Sequence, residues 1–267
     1  MKSRVVLRAA LLAGALAISQ GALAQFGPPR APAGPPPPAE QAAPIDLTGY
    51  WESVITEDWR WRMLTAPRGD FASVPLNAQG QKIANEFDPT QYGAPNSGVI
   101  DCRAYGAAGL MRMPTRVHIT WVNQNQLQIQ SDWGEQTREI YFTRTDMPHG
   151  PPTLQGSSFA VWQVPQAGGP GFGRRRGPPP KPVTGKMYVV TNNLAPGWLR
   201  RNGVPYSSQT RMQEYFQVFH DPSAKMWFDV TTQVDDPDYL RAPFITSDDF
   251  RHEPDGSKWA PHPCKQG

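Results

Sequence analysis

Apolar residues recur at every second position through most of this chain, and that period restricts the fold more than any other feature. Val117, Ile119 and Trp121 alternate with His118 and Thr120, Asn123-Gln124-Asn125 interrupts the run, and Leu127 and Ile129 resume it. Asp132-Trp133-Gly134 interrupts it again before Arg138-Glu139-Ile140-Tyr141-Phe142. Further runs occupy 158–164, 186–192, 211–220 and 226–234, and two earlier ones occupy 50–56 and 59–64. Successive side chains on a strand point to opposite faces, so alternation bounded by turn residues predicts an antiparallel sheet of about nine strands. The expected fold is mainly β: one antiparallel β-barrel or barrel-like sandwich with one short helix. That helix is predicted over 78–87, capped by Asn77 and stopped by Pro89, with Ile83, Ala84 and Phe87 on one face. The proline-rich tail from Tyr239 is expected to be irregular and to wrap the barrel.

The alternation is framed by segments that cannot take part in it. Lys2, Arg4 and Arg8 precede an apolar run from Ala9 to Ile18, and Ala22-Leu23-Ala24 fits a cleavage site. Residues 1–24 therefore read as a secretory signal peptide, which places the mature chain in the periplasm or outside the cell. The run is too short for a hydrocarbon core of about 30 Å, and no other segment reaches the required apolar length, so no integral membrane segment is expected in the mature chain. Eight prolines within residues 25–44 mark a polyproline-like or disordered spacer. A Pro/Gly/Arg-rich stretch at 165–184, which includes Arg174-Arg175-Arg176, reads as a disordered insertion. Strand-like sequence flanks it on both sides, so one domain is expected over 45–264.

The net charge is +3, from 26 Lys+Arg and 23 Asp+Glu. Lys2, Arg4 and Arg8 account for that whole excess, so the mature chain is balanced and nucleic-acid binding is not expected. The two cysteines, Cys102 and Cys264, are expected to form one disulfide in an oxidising compartment, with two buried thiols or a metal site as the alternatives.

Chemistry is concentrated in few places. On a strand, Trp59, Trp61 and Met63 share one face, while Asp58, Arg60 and Arg62 share the other. The tryptophans can stack a planar ligand and the arginines can clamp a carboxylate or phosphate; the alternative is a packed face backed by a solvated one. His118 is a candidate general base if it points into a cavity, and faces solvent if Val117, Ile119 and Trp121 point inward. Arg138 shares a side with Ile140 and Phe142 and must find a partner there. Glu214, flanked in the alternation by Met212 and Phe216, is the expected mate. Asp235-Asp236-Pro237-Asp238 reads as a strand-ending turn, with clustered carboxylates for calcium as the alternative. His252, Glu253 and His262 match no metal-binding spacing. No G-x-S-x-G, phosphate-binding or dinucleotide-binding glycine pattern occurs. No metal or cofactor is predicted.

Cys102 with Tyr105-Gly106, Met111-Arg112-Met113-Pro114, Arg138-Glu139-Ile140-Tyr141, Gly203-x-Pro205-Tyr206-Ser207 and Asp235-Asp236-Pro237-x-Tyr239-Leu240 follow one another in an order that resembles a group of uncharacterised exported bacterial proteins. The resemblance covers most of 46–250 and implies an exported β-rich domain; the insertion at 165–184 replaces a tight acidic turn of that group. Gly49-Tyr50-Trp51 at the head of the domain is similar to the start of lipocalin-like barrels, in which the tryptophan is a structural plug. Three functions are carried forward. The first is binding of a small apolar or aromatic molecule within the barrel. The second is a lyase, isomerase or hydrolase using His118 with Arg138 or Glu214. The third is a structural or interaction module of the cell envelope. Which polar side chains line an open interior decides among them.

Overall fold

In the computed structural model, residues 35–91, 102–165 and 185–264 are described. In chain order these form β1 (Gly49–Val54), α1 (Trp59–Arg62), α2 (Ala78–Glu86), α3 (Ala107–Leu110), β2 (Arg116–Asn123), β3 (Gln126–Ser131), β4 (Trp133–Gly134), β5 (Thr137–Tyr141), β6 (Ser157–Gln163), β7 (Lys186–Asn192), β8 (Gly197–Arg200), β9 (Val204–Tyr206), β10 (Arg211–His220), β11 (Met226–Asp235), β12 (Phe244–Glu253) and β13 (His262–Pro263). Nine strands close a barrel in the order β1-β12-β11-β10-β7-β6-β5-β3-β2, and β2 pairs back onto β1. Closure removes the unpaired backbone edges that an open sheet would expose.

The alternation identifies eight of these strands and misplaces one. The 59–64 run is not a strand: Trp59–Arg62 is the short helix α1, entered through Asp58 at φ 51°. Four residues of alternation fit either period, and the helix brings Arg62 alone to the interior while Arg60 stays exposed. The ninth barrel strand is β12, inside the tail expected to be irregular. Its inward positions are Phe244, Thr246, Asp248 and Phe250, so polar residues hide the apolar period. The sheet also departs from pure antiparallel pairing, because β5 and β6 run parallel through Ile140–Ser158 and Tyr141–Phe159. β6 and β7 pair antiparallel up to Gln163–Lys186, so the insertion is a hairpin connection; residues 166–184, including Arg174–Arg176, lie outside the described residues.

The packed body starts before Asp46. Ala39 is buried, its N–H donates to Asn125 Oδ1 at 2.9 Å, and its carbonyl accepts from Trp162 Nε1 at 2.8 Å. The end of the expected spacer is thus fixed to the barrel, and Trp121, Phe142 and Trp162 cluster nearby with Phe142 and Trp162 stacked at 5.0 Å.

Inside, the first apolar cluster contains Trp51, Ile119, Ile129, Val189, Phe216, Phe228 and Phe250, all without exposed surface. Trp51 packs edge-on against Phe228 at 4.9 Å and donates Nε1–H to the Leu47 carbonyl at 2.9 Å, so it is a core plug. Gly49 is required just before it: φ is +114°, and an added Cβ would sit 2.9 Å from His252 Nε2. A second cluster joins Met212 at the start of β10, Val234 at the end of β11 and Phe244 at the start of β12 to Ala84 of α2, Ala108 of α3 and the hairpin β8–β9, which together cover that mouth of the barrel. Helix α2 is capped as expected, with Asn77 Oδ1 accepting from Gly80 N at 2.9 Å. No helix among the described residues is long and apolar enough to cross a membrane.

Cys102 and Cys264 form a disulfide over a sequence separation of 162 residues. It lies in a third cluster with Tyr105, Leu110, Met113 and Trp198, beside the mouth that α3 covers.

Candidate functional site

Arg138 and Glu214 meet inside the barrel, both fully buried. Arg138 Nη1 donates to Glu214 Oε1 at 2.9 Å, and Nη2 donates to Glu214 Oε2 and to Thr191 Oγ1 (2.8 Å). Nε donates to Ser158 Oγ at 3.2 Å. Every nitrogen of the guanidinium has an acceptor and both carboxylate oxygens are taken. A fork-to-fork pair of this kind satisfies two buried charges and leaves nothing to offer a ligand. His118 is on the outer face, because Val117 and Ile119 point inward. Its ring stacks on Tyr50 at 4.0 Å, with Trp259 edge-on at 6.2 Å. The structure therefore separates His118 from Arg138 and Glu214, and no catalytic group assembles from the three.

The other expected residues gather at the mouth that α1 borders. Arg60, exposed, donates to Asp70 Oδ2 at 2.6 Å, and Trp61 Nε1 donates to Asp70 Oδ1 at 3.2 Å. Trp59 points to solvent, so the two tryptophans do not form one stacking face. Arg62 is buried, pairs with Glu57, and donates Nε–H to the Arg112 carbonyl at 3.0 Å. Its Nη2 lies 3.0 Å from Asp248 Oδ1 as a charge contact without hydrogen-bond alignment. Arg112 holds Asp58 at 2.8 Å. Burial pushes the Asp248 carboxyl up to about 6 against the pull of Arg62 and Arg112. Arg200 of β8 and the following Arg201 complete the group; with Trp61, Arg62 and Arg112 they line one small pocket. Arg112, Arg200, Arg201 and Asp248 were not among the sequence candidates. The available signal was an arginine set within or beside an apolar run, at Met111-Arg112-Met113 and Trp198-Leu199-Arg200.

On the outer side of the same mouth runs a groove of about 590 Å³. Val54, Ile55, Met63 and Trp133 give it an apolar wall. Glu52, Arg116 and Arg251 give it a polar one, with both arginines donating to Glu52 at 2.6 and 2.9 Å. Met63, just past α1, is half exposed (51%).

The remaining candidates take structural positions. Asp236 is buried and accepts from Ser207 N, Ser207 Oγ and Thr210 Oγ1, which ties the β11 end to the loop before β10. Glu253 pairs with Lys258 at 2.7 Å, and His252 lies edge-on to Trp51 at 4.8 Å. His262 lies edge-on to Trp133 at 5.9 Å. Among the described residues no group of three or more His, Cys, Asp or Glu side chains is placed to hold a metal ion.

No family model, curated protein or solved structure matches the chain.

Proposed function

We propose that this is an exported binding protein that holds a small, partly aromatic amphipathic molecule on the outside of its barrel. The observation that carries the reading is the groove beside α1. Its volume lies within the range of about 300–1,000 Å³ common for ligand pockets, and an apolar wall faces a few fixed polar groups. Trp133 offers a ring for stacking, while Arg116 and Arg251 offer donors to an acidic group that competes with Glu52. Inside the barrel the inward positions carry the apolar first cluster and the mutually satisfied Arg138–Glu214 pair, so the groove offers the better placed polar partners. Export is supported by the reading of residues 1–24 and by a disulfide suited to an oxidising compartment; the resemblance to exported bacterial proteins agrees with both.

The test uses anilinonaphthalene sulfonate, an aromatic anion, as the probe. Saturable fluorescence enhancement is expected with the folded protein, together with a rise in Tm. Met63→Glu places a charge on the groove wall at an exposed position that folding does not need, and is expected to weaken binding at least about tenfold, equivalent to about 1.4 kcal/mol. Saturable binding that Met63→Glu and Trp133→Leu both leave unchanged would place the ligand elsewhere and overturn the reading.

A further inference from the structure

Strand β5 turns Arg138 and Ile140 into the core, and Glu139 and Tyr141 to the other face. The Tyr141 hydroxyl donates to Glu139 Oε2, and both residues line a cleft of about 390 Å³ on the outside of the barrel. The cleft lies where β5 and β6 separate. These strands pair only through Ile140–Ser158 and Tyr141–Phe159, and residues of the loop from Pro148 to Gly156 wall the opening. That loop is pinned on two sides. Asn193 Nδ2 donates to the Gly150 carbonyl at 3.2 Å, and the Asn193 carbonyl accepts from Thr153 N at 3.2 Å. Gln155 Nε2 donates to the Tyr105 carbonyl at 2.8 Å and to Gln136 Oε1 at 3.0 Å. The cleft is thus held open by the fold, which reduces the ordering cost of filling it.

Its lining narrows what fills it. Ser157 is 8% exposed, it lines the cleft, and its hydroxyl has no hydrogen-bond partner among the described residues. A polar side chain buried to that extent is ordinarily paired, so this one calls for a partner from the cleft. Glu139 commits one oxygen to Tyr141, and its other oxygen accepts from nothing among the described residues. A carboxylate only accepts, whereas a hydroxyl both donates and accepts. Pro148 and Pro151 add apolar C–H surface. No Lys, Arg or His among the described residues lines the cleft, so an anionic ligand would meet Glu139 without a counter-charge. A molecule that donates to a carboxylate from adjacent hydroxyls, exchanges a hydrogen bond with Ser157 and carries C–H groups but no negative charge answers every one of these groups.

We propose that this cleft is a carbohydrate site, in which neighbouring hydroxyls of a neutral sugar donate to Glu139, another pairs with Ser157, and ring C–H groups rest on Pro148 and Pro151. The volume is within the range of about 300–1,000 Å³ common for small-molecule pockets. The site shares no lining residue with the groove beside α1 and does not depend on the function proposed there.

The experiment is saturation-transfer NMR of the oxidised protein with glucose, galactose, mannose and N-acetylglucosamine, with glucuronate and putrescine as charged comparisons. At least one neutral sugar is expected to receive saturation along a saturable titration, and glucuronate is not. Glu139→Gln keeps the shape of an exposed side chain and removes its charge. It is expected to weaken sugar binding at least about tenfold while leaving Tm and naphthalene sulfonate binding unchanged, because hydrogen bonds to a charged acceptor are the stronger ones. Ser157→Ala removes the hydroxyl without adding volume and is expected to weaken sugar binding as well. Absence of saturation transfer to every neutral sugar, or sugar binding that both substitutions leave unchanged, would overturn the proposal. Binding of putrescine alone, lost in Glu139→Gln, would make the cleft an ammonium site and overturn the carbohydrate assignment.

Discussion

Arg138 and Arg200 are both buried arginines in one barrel, and they are finished differently. In the midsection, Arg138 has Glu214, Ser158 and Thr191 as acceptors, with no nitrogen left over. At the mouth, Arg200 has a serine and a tryptophan face, with two nitrogens left over. The partners of Arg138 all come from barrel strands, whose register places inward side chains opposite one another at fixed spacing. The partners available to Arg200 come from a loop residue and a four-residue helix, which register does not control. A complete network specifies the fold; the incomplete one borders a pocket at the lower size limit for one water.

The sharpest way to break this contrast is to open the midsection. Arg138→Met leaves Glu214 buried and unpaired and is expected to cost about 3–5 kcal/mol in urea unfolding. The double variant Arg138→Met with Glu214→Leu replaces both charges by apolar volume and is expected to recover most of that loss. If the single variant costs little, the midsection is not the closed network its geometry describes.

The second effect in size concerns the mouth. The disulfide ties the tail to the segment that leads from Cys102 into α3 and on to Arg112, so it supports the region that register does not. Cys264→Ser is expected to cost about 2–4 kcal/mol. Hydrogen exchange sharpens the comparison: amides of 103–113 are expected to lose protection before those of β10 and β11. Equal loss in both regions would mean that mouth and midsection unfold as one unit.

The same division explains what the sequence disclosed. Period two is a property of strands, so residues whose role is set by facing inward on a strand were readable: Arg138 and Glu214 as mates. The core position of Trp51 was implied by the resemblance of Gly49-Tyr50-Trp51 to lipocalin-like barrels. The disulfide was readable because two cysteines leave one pairing. The mouth was not. Trp59-Arg60-Trp61-Arg62 alternates like a strand over four residues, and the contacts that hold it as a helix, from Arg62 to Asp248, Glu57 and the Arg112 carbonyl, include partners remote in sequence. β12 was hidden for the matching reason: Asp248 and Thr246 occupy inward positions that the apolar pattern reserves for other residues. The arginines of the pocket come from α1, the turn after α3, β8 and the residue after β8, and no local spacing links them.

Asp248 also supplies the smallest effect that distinguishes the regions. Its carboxyl lies at about 6 in the folded protein, above its ordinary 3.8, because burial outweighs the attraction of Arg62 and Arg112. The native state then holds this proton at a higher pH than the unfolded chain does. Between about pH 4 and 6 it binds more protons than the unfolded state, so its contribution makes stability fall as pH rises through that window. The slope from one such group approaches about 1.4 kcal/mol per pH unit. Asp248→Asn removes this titration and nothing else with a raised carboxyl; Asp249, also raised, stays in both proteins and cancels. The difference in unfolding free energy between wild type and Asp248→Asn is therefore expected to change across pH 4–6 and to level off above it. A flat difference would mean that Arg62 and Arg112 hold Asp248 charged throughout, which would make this edge of the mouth as complete as the midsection and confine the imbalance to Arg200.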